Sequence, residues 1–312
     1  MTNSPFAHQE SMFRLPSMTR KCLLLIFLMT LFFSLIVLHT LTNFTNVIIS
    51  AVKGNFTLWM QDRPVEIDMS GFFRVMTIQE RAILMNLTEV SCHILENLHI
   101  PYIMYGGTLL GSWRHHDIIP WDDDFDILVN GKENFTVFKA LQDFHPDYLV
   151  MEAGPRIKFF SNQSKRTNKH PWRWPYVDIS FYDENATHIW DSGPEFDNVS
   201  YSKEMIFPTH KRPLAHLSLS APRDSYAMLK VMYSTVRCRT LVYSHKKENF
   251  TQPPVTAPCE KLKSLFPFVH RTSTTSGILE TLKLDDTIIH NMTVNEPLYA
   301  VTNPYSLDLV DE

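Results

Sequence analysis

The sequence predicts an α/β (α+β) domain, a mixed sheet flanked by helices, standing behind one apolar N-terminal helix. Three observations carry this. An amphipathic stretch, Thr77 to Leu98, is followed by segments that read as strands at Tyr102 to Tyr105, Trp121 to Val129 and Tyr176 to Tyr182. Gly106-Gly107 breaks the chain between the first run and the next helical segment. The residues from Cys22 to Leu38 carry no charge at all.

The chain has 312 residues, 44% of them apolar, which is enough for one large domain or two small ones. Its 29 basic and 33 acidic residues leave a net charge of −4. No basic stripe runs along it, so nothing in the charge points to a nucleic-acid partner.

Extended to Leu41, the apolar run has about the 20 residues a bilayer helix needs. Arg14, Arg20 and Lys21 precede it, and the next basic residue is Lys53. The positive-inside bias then makes residues 1–21 a cytosolic tail, 22–41 a single-pass type II anchor and everything beyond luminal. A cleaved signal peptide is the alternative, but the nearest small-residue site, Ser50-Ala51, lies too far downstream. The short span suits the thin membranes of the early secretory pathway, endoplasmic reticulum or Golgi. N-x-[ST] sequons at Asn43, Asn55, Asn86, Asn134, Asn162, Asn185, Asn198, Asn249 and Asn291 all follow the apolar run, as a glycosylated luminal portion requires. Residues 42–75 read as a stem and 76–312 as the globular domain, with its legible core at 80–235.

The helix at 77–98 opens on a capping box, Thr77 with Glu80, and repeats apolar residues from Ile78 through Ile83 to Leu98 at helical spacing. Pro101 introduces a strand, Tyr102 to Tyr105. Thr108 to Trp113 reads as a short helix, Trp121 to Val129 as a strand and Val137 to Phe144 as a helix. Tyr148 to Glu152 and Ile157 to Phe160 read as strands around a Gly154-Pro155 turn. Beyond Tyr243 the pattern weakens, and residues 252–255 and the Thr/Ser run 272–276 read as loops. Cys238 and Cys259 could close a modest loop in an oxidising compartment, leaving Cys92 as a buried thiol on its helix. No zinc spacing occurs.

The chemistry concentrates at residues 106–126. Asp122, Asp124 and Asp126 alternate, so an extended backbone turns all three to one face and Asp123 to the other. Such a face suits one or two hard cations, Mg²⁺ or Mn²⁺, which clamp phosphate oxygens. Gly106-Gly107 at a strand-to-helix turn lets the backbone approach a phosphate at a helix N-terminus. Asp178, in mid-strand, offers a third carboxylate. The 1, 3, 5 spacing with Glu133 at 12 also fits a calcium loop, but Ile127 stands where that loop needs glycine and Pro120 precludes the entering helix. Arg114 either neutralises a phosphate or pairs with Asp117 or Asp122. His115 and His116 read as structural, Lys158 as an exposed lysine, and Trp172 and Trp174 as loop packing or a stacking surface for a sugar or base.

The stretch GGTLLGSWRHHDIIPWDDDFDI resembles the signature of the LicD family, which includes fukutin and the fukutin-related protein. Phe207-Pro208 and the segment from Ala221 to Leu229 resemble a later family segment, although Tyr233-Ser234 stands where the family has Tyr-Gly. The resemblance implies a nucleotidyltransferase-like fold. It implies that Gly106 and Gly107, with Thr108 and Arg114, hold a CDP-linked donor. It also implies that Asp124, Asp126 and Asp178 bind the metal, with Asp122 as flanking acid. The implied reaction moves a phospho-alcohol, such as phosphocholine or ribitol phosphate, to a glycan or glycoprotein acceptor. Asp122 or Asp178 would be the base. Two other functions share these residues: a catalytically silent luminal scaffold that binds a glycosyltransferase, and a D-x-D glycosyltransferase using a sugar nucleotide.

Overall fold

The structure is a computed structural model that describes residues 29, 71–194, 199–251 and 253–297. The tail, the apolar segment apart from Met29, most of the stem, and the sequons at Asn43, Asn55 and Asn198 lie outside the described residues. Among the described residues no helix is long and apolar enough to cross a membrane. Residues 71–297 belong to one compact unit, Ile67–Glu312.

The first helix, α1, spans Ile78–Asn97 and is capped as its sequence requires. Thr77 Oγ1 accepts the Glu80 N–H at 3.2 Å, and Glu80 Oε2 accepts the Thr77 N–H at 2.9 Å. Leu84, Leu87 and Leu95 are fully buried, each contributing about 1.5–3 kcal/mol of apolar burial, while Ile78 falls on the solvent side. There follow β1 (Tyr102–Met104), α2 (Gly106–His115), β2 (Phe125–Asn130), α3 (Asn134–Gln142), β3 (Tyr148–Ala153), β4 (Arg156–Arg166), β5 (Arg173–Glu184), β6 (His188–Asp191) and β7 (Tyr201–Ser202).

These strands form one mixed sheet in the order β1-β2-β5-β4-β3, with β6 and β7 continuing from the end of β5. Only β2 and β5 run parallel. They sit mid-sheet and are buried on both faces, Ile127, Val129, Val177 and Ile179 on one and Leu128, Asp178 and Ser180 on the other. The expected mixed sheet flanked by helices is therefore present.

Several boundaries differ from the sequence expectation. The strand expected from Trp121 starts only at Phe125. Asp122 Oδ1 takes the Asp123 N–H at 3.0 Å, a local side-chain bond that replaces a ladder bond. The helix expected from Thr108 starts at Gly106, so the glycines form its first turn. β4 and β5 reach farther than Phe160 and Tyr176, because their polar outer ends pair with each other (Lys165 with Trp174, Arg166 with Arg173).

The C-terminal part is also more ordered than its pattern suggests. After α4 (Lys203–Ile206) come the hairpin β8 (His210–Leu214) and β9 (Leu217–Ala221), and α5 (Ser225–Lys230). Short pairs follow: β10 (Arg237–Arg239) with β13 (Thr256–Pro258), and β11 (Tyr243–Ser244) with β12 (Asn249–Phe250). The last of the described elements form a three-stranded antiparallel sheet of β14 (Phe268–Thr274), β15 (Gly277–Leu284) and β16 (Thr287–Val294). The Thr/Ser run expected as a loop supplies the end of β14, where β-branched threonines suit a strand.

This last sheet is pinned by buried charge. Arg212 reaches Glu280 at 2.9 and 3.0 Å and Glu296 at 2.5 Å, Arg271 reaches Glu280 at 2.7 Å, and His116 Nε2 lies 2.7 Å from Glu280. His116 thus has the structural role expected of it, and His115 likewise sets Nδ1 2.6 Å from the Pro267 carbonyl.

Candidate active site

The site is built where β1, α2 and β2 meet. β1 pairs antiparallel with β2, Met104 opposite Ile127, so the chain leaves β1 beside the start of β2. Tyr105 donates its N–H to the Asp126 carbonyl at 3.1 Å, and the Asp126 N–H reaches Thr108 Oγ1 at 2.8 Å. The first turn of α2 is thereby stitched to the residue that carries the third aspartate of the alternating set. Gly106 has φ +55°, and a Cβ there would lie 3.4 Å from Asp126 Oδ2. A Cβ on Gly107 would lie only 2.7 Å from Asp122 Oδ2. The glycines are thus needed for the helix start to lie against the carboxylates.

Asp122, Asp124, Asp126, Gly107 and Arg114 line one cavity of about 480 Å³. The alternation expected from the sequence survives although residues 122–124 are not in a strand. Asp123 turns the other way. Its Oδ1 accepts the His245 N–H at 3.1 Å and lies 3.0 Å from His245 Nδ1, while its Oδ2 accepts from Ser244 Oγ at 2.9 Å and the Lys246 N–H at 3.0 Å. Trp174 Nε1 donates to the Asp123 carbonyl at 2.6 Å.

Thr108 is buried, its hydroxyl engaged by the Asp126 N–H. Asp178 pairs in register with Asp126 across β2 and β5, but it is not among the side chains lining the cavity. Lys158, expected as an exposed lysine, is buried and donates to Asp178 Oδ2 at 2.9 Å. Its ammonium also sits 3.8 Å from the Tyr176 ring centroid and 5.1 Å from that of Trp172. Lys158 lies opposite Asp178 in the β4–β5 register, and that pairing of distant segments hides the contact from the local sequence.

Arg114 is buried, with Nε donating to His115 Nε2 at 3.0 Å and its guanidinium 5.7 Å from the Trp121 ring centroid. Burial lowers it to about 9, although the Asp122 charge works the other way. It does not pair with Asp117, whose two carboxylate oxygens both accept from Arg81 Nη2, at 2.7 and 2.8 Å.

The electrostatics favour a cation. Burial raises Asp122, Asp124 and Asp126 above the usual carboxylate range, and their mutual repulsion adds to it. Asp126 is pushed up to about 7, with Asp178 the largest charge contribution after burial. His245, absent from the sequence expectation, supplies one compensating charge. Burial opposes its protonation, but Asp124, 3.2 Å from Nε2, and Asp123 hold it at about 10. Among the described residues Asp123, Asp124 and His245 bring ligand atoms within 4.8 Å of one another. Asp123 is saturated by its four donors, so the oxygens facing the cavity belong to the alternating set. Asp178 Oδ1 is buried and finds no partner among the described residues. A set of carboxylate oxygens, mutually repelling and incompletely partnered, fits a hard divalent cation.

The rest of the lining comes from residues that no local motif marks. Tyr233 sets its hydroxyl 3.5 Å from where a Gly106 Cβ would stand, and burial and Asp126 push its phenol up. Arg237 and Arg239 also line the cavity. The disulfide Cys238–Cys259, which the spacing allowed, joins β10 to the end of β13, and Cys92 is buried and free. Trp121 Nε1 donates to the Arg239 carbonyl at 2.9 Å, tying this part of the lining to the acidic segment.

A family model described as LicD/FKTN/FKRP, nucleotidyltransferase domain, matches residues 99–224. The lipopolysaccharide cholinephosphotransferase LicD of Haemophilus influenzae is 28% identical over 116 residues, 34% of this chain and 43% of that protein. The ribitol-5-phosphate transferase FKTN of Mus musculus is 28% identical over 121 residues, 35% of this chain and 23% of that protein. The ribitol 5-phosphate transferase FKRP of Homo sapiens is 28% identical over 147 residues, 45% of this chain and 29% of that protein. The chain thus spans less than half the length of each of these relatives. Among solved structures, lincomycin-bound lincosamide antibiotic adenylyltransferase LnuA aligns with a TM-score of 0.31 at 15% identity, over 51% of this chain and 87% of that one.

Proposed function

From a LicD-family domain at residues 99–224, we propose that this chain transfers a phospho-alcohol from a CDP-linked donor to a glycan or glycoprotein acceptor in a metal-dependent reaction. The observation that carries the reading is the convergence of Asp122, Asp124 and Asp126 on one cavity against the Gly106-Gly107 helix start. The relatives are transferases by name, acting with cholinephosphate or ribitol phosphate.

In this reading Asp124 and Asp126, with Asp178 beside Asp126, hold Mg²⁺ or Mn²⁺. When bound, the metal neutralises phosphate charge as the transferred group moves. The first turn of α2 offers its N–H groups to the donor phosphates, where the helix dipole favours an anion. An acceptor hydroxyl forms the new O–P bond, the anhydride P–O bond breaks, and CMP leaves. Asp122 takes the hydroxyl proton. It faces the cavity with a raised affinity for a proton, whereas Asp178 is held by Lys158 outside the cavity lining.

We place the reaction in the lumen of the endoplasmic reticulum or Golgi, with residues 22–41 as a single-pass anchor. Supporting this are the apolar run and its basic flank in the sequence, and the exposure of Asn86, Asn162, Asn185, Asn249 and Asn291 among the described sequons.

The test is CMP release from a CDP-alcohol by the full chain, with and without Mg²⁺. Asp124→Asn and Asp126→Asn are expected to lower it by roughly 10²–10³-fold while the near-UV circular dichroism is kept. Near-normal turnover by either variant would overturn the carboxylate assignment. A chain that binds no CDP with either metal would instead be a scaffold that has kept the fold, and turnover of a sugar nucleotide would mark a glycosyltransferase.

A further inference from the structure

We infer that Arg237 and Arg239 form the anion-binding arm of the cavity and hold the phosphate of the nucleoside monophosphate that leaves. The inference rests on the donor reading above and adds to it residues outside the family-matched segment, which ends at 224.

The two arginines flank Cys238 on β10, so both side chains lie on one face of the strand while Cys238 is buried beneath. Both line the cavity that Asp122, Asp124 and Asp126 also line. Among the described residues, neither guanidinium forms an ion pair with these aspartates or with any other carboxylate. Arginines that merely balanced the acids would be paired with them. Here one cavity is lined by three aspartates and by two exposed arginines that form no ion pair with them among the described residues.

A diphosphate donor has that same division. One phosphate requires a cation site, and the other, which carries the charge developed on leaving, requires fixed donors. Guanidinium groups bind phosphate with two parallel N–H bonds and keep their charge at any working pH. A cavity of about 480 Å³ is of the size that encloses such a ligand.

Arg114, the arginine that the sequence singles out for this role, is engaged elsewhere. Its Nε is given to His115, and its Nη1 lies 3.7 Å from the Cys259 sulfur. It packs against the disulfide and Trp121 that hold β10 in place. The anion-binding task therefore falls to Arg237 and Arg239, and Arg114 positions their strand.

The experiment is CDP binding to the full chain by titration calorimetry with Mg²⁺ present. The proteins compared are wild type, Arg237→Ala, Arg239→Ala, the double alanine variant and the double lysine variant. Each alanine is expected to weaken CDP about tenfold, and lysine to recover part of the loss. Cytidine, which lacks phosphates, should bind all of them alike, which a merely structural role would not give. Wild type binding CDP while the double alanine variant binds it within twofold would overturn the inference and leave the donor reading standing. Wild type binding no CDP would overturn both.

Discussion

Asp126 and Asp178 stand opposite each other in the register of the two parallel strands at the centre of the sheet, on the same face, with Lys158 facing Asp178 from the next strand. Adjacent strands lie about 4.8 Å apart, so two carboxylates in this position repel unless a cation intervenes. Lys158 satisfies one oxygen of Asp178. Its other oxygen, Oδ1, is buried and has no partner among the described residues.

Removing that lysine therefore has a calculable consequence. Lys158→Met is expected to cost about 3 kcal/mol, because it leaves a buried carboxylate without its partner. The double variant Lys158→Met with Asp178→Asn should regain most of this. Urea denaturation of the four corners of the cycle measures the coupling, and strict additivity would show that the pair contributes nothing to stability.

Asp122 and Asp123 are adjacent in sequence but are expected to respond in opposite directions. Asp123→Ala removes the acceptor for four donors around residues 244–246 and should destabilise the chain by about 3 kcal/mol. Asp122→Asn removes one of several crowded negative charges and should leave the metal-free protein as stable or more so. Thermal melts in EDTA compare the two. Equal losses would contradict the assignment of faces.

Glu80 gives a pH dependence whose sign is fixed. Burial would raise its carboxyl, but Lys246, the Thr77 N–H and Lys165 outweigh it and hold it at about 2. A carboxylate lowered in the folded state stabilises fully above its ordinary value, 4.5, and that stability is lost as pH falls toward 2. Glu80→Gln should flatten this acid limb by about 3 kcal/mol, as read from stability curves between pH 2 and pH 6. An unchanged limb would assign the acid lability to other groups.

The disulfide closes a separation of 21 residues, so its loss should cost roughly 3 kcal/mol by loop entropy. Cys238→Ser with Cys259→Ser should also weaken CDP binding, since β10 carries Arg237 and Arg239. A variant destabilised but with unchanged affinity would separate the strand's position from its covalent tie.

By itself the sequence determined the parts of this protein whose physics is local. The capping box at Thr77 and Glu80, the glycines at the helix start and the opposite facing of Asp122, Asp124 and Asp126 against Asp123 follow from backbone geometry over a few residues. So does the placing of Asp178 within a buried strand. The tertiary structure alone decided the partners, because each required two distant segments to meet. Lys158 reads as exposed within its own segment and is buried by the pairing of β4 with β5. His245 carries no motif, yet it comes within reach of Asp123 and Asp124 because Asp123 anchors residues 244–246 from across the fold. The cavity lining from residues 232–256 has no sequence pattern of its own. Arg237 and Arg239 are brought to the acids by a disulfide and one indole hydrogen bond, contacts that spacing along the chain does not encode.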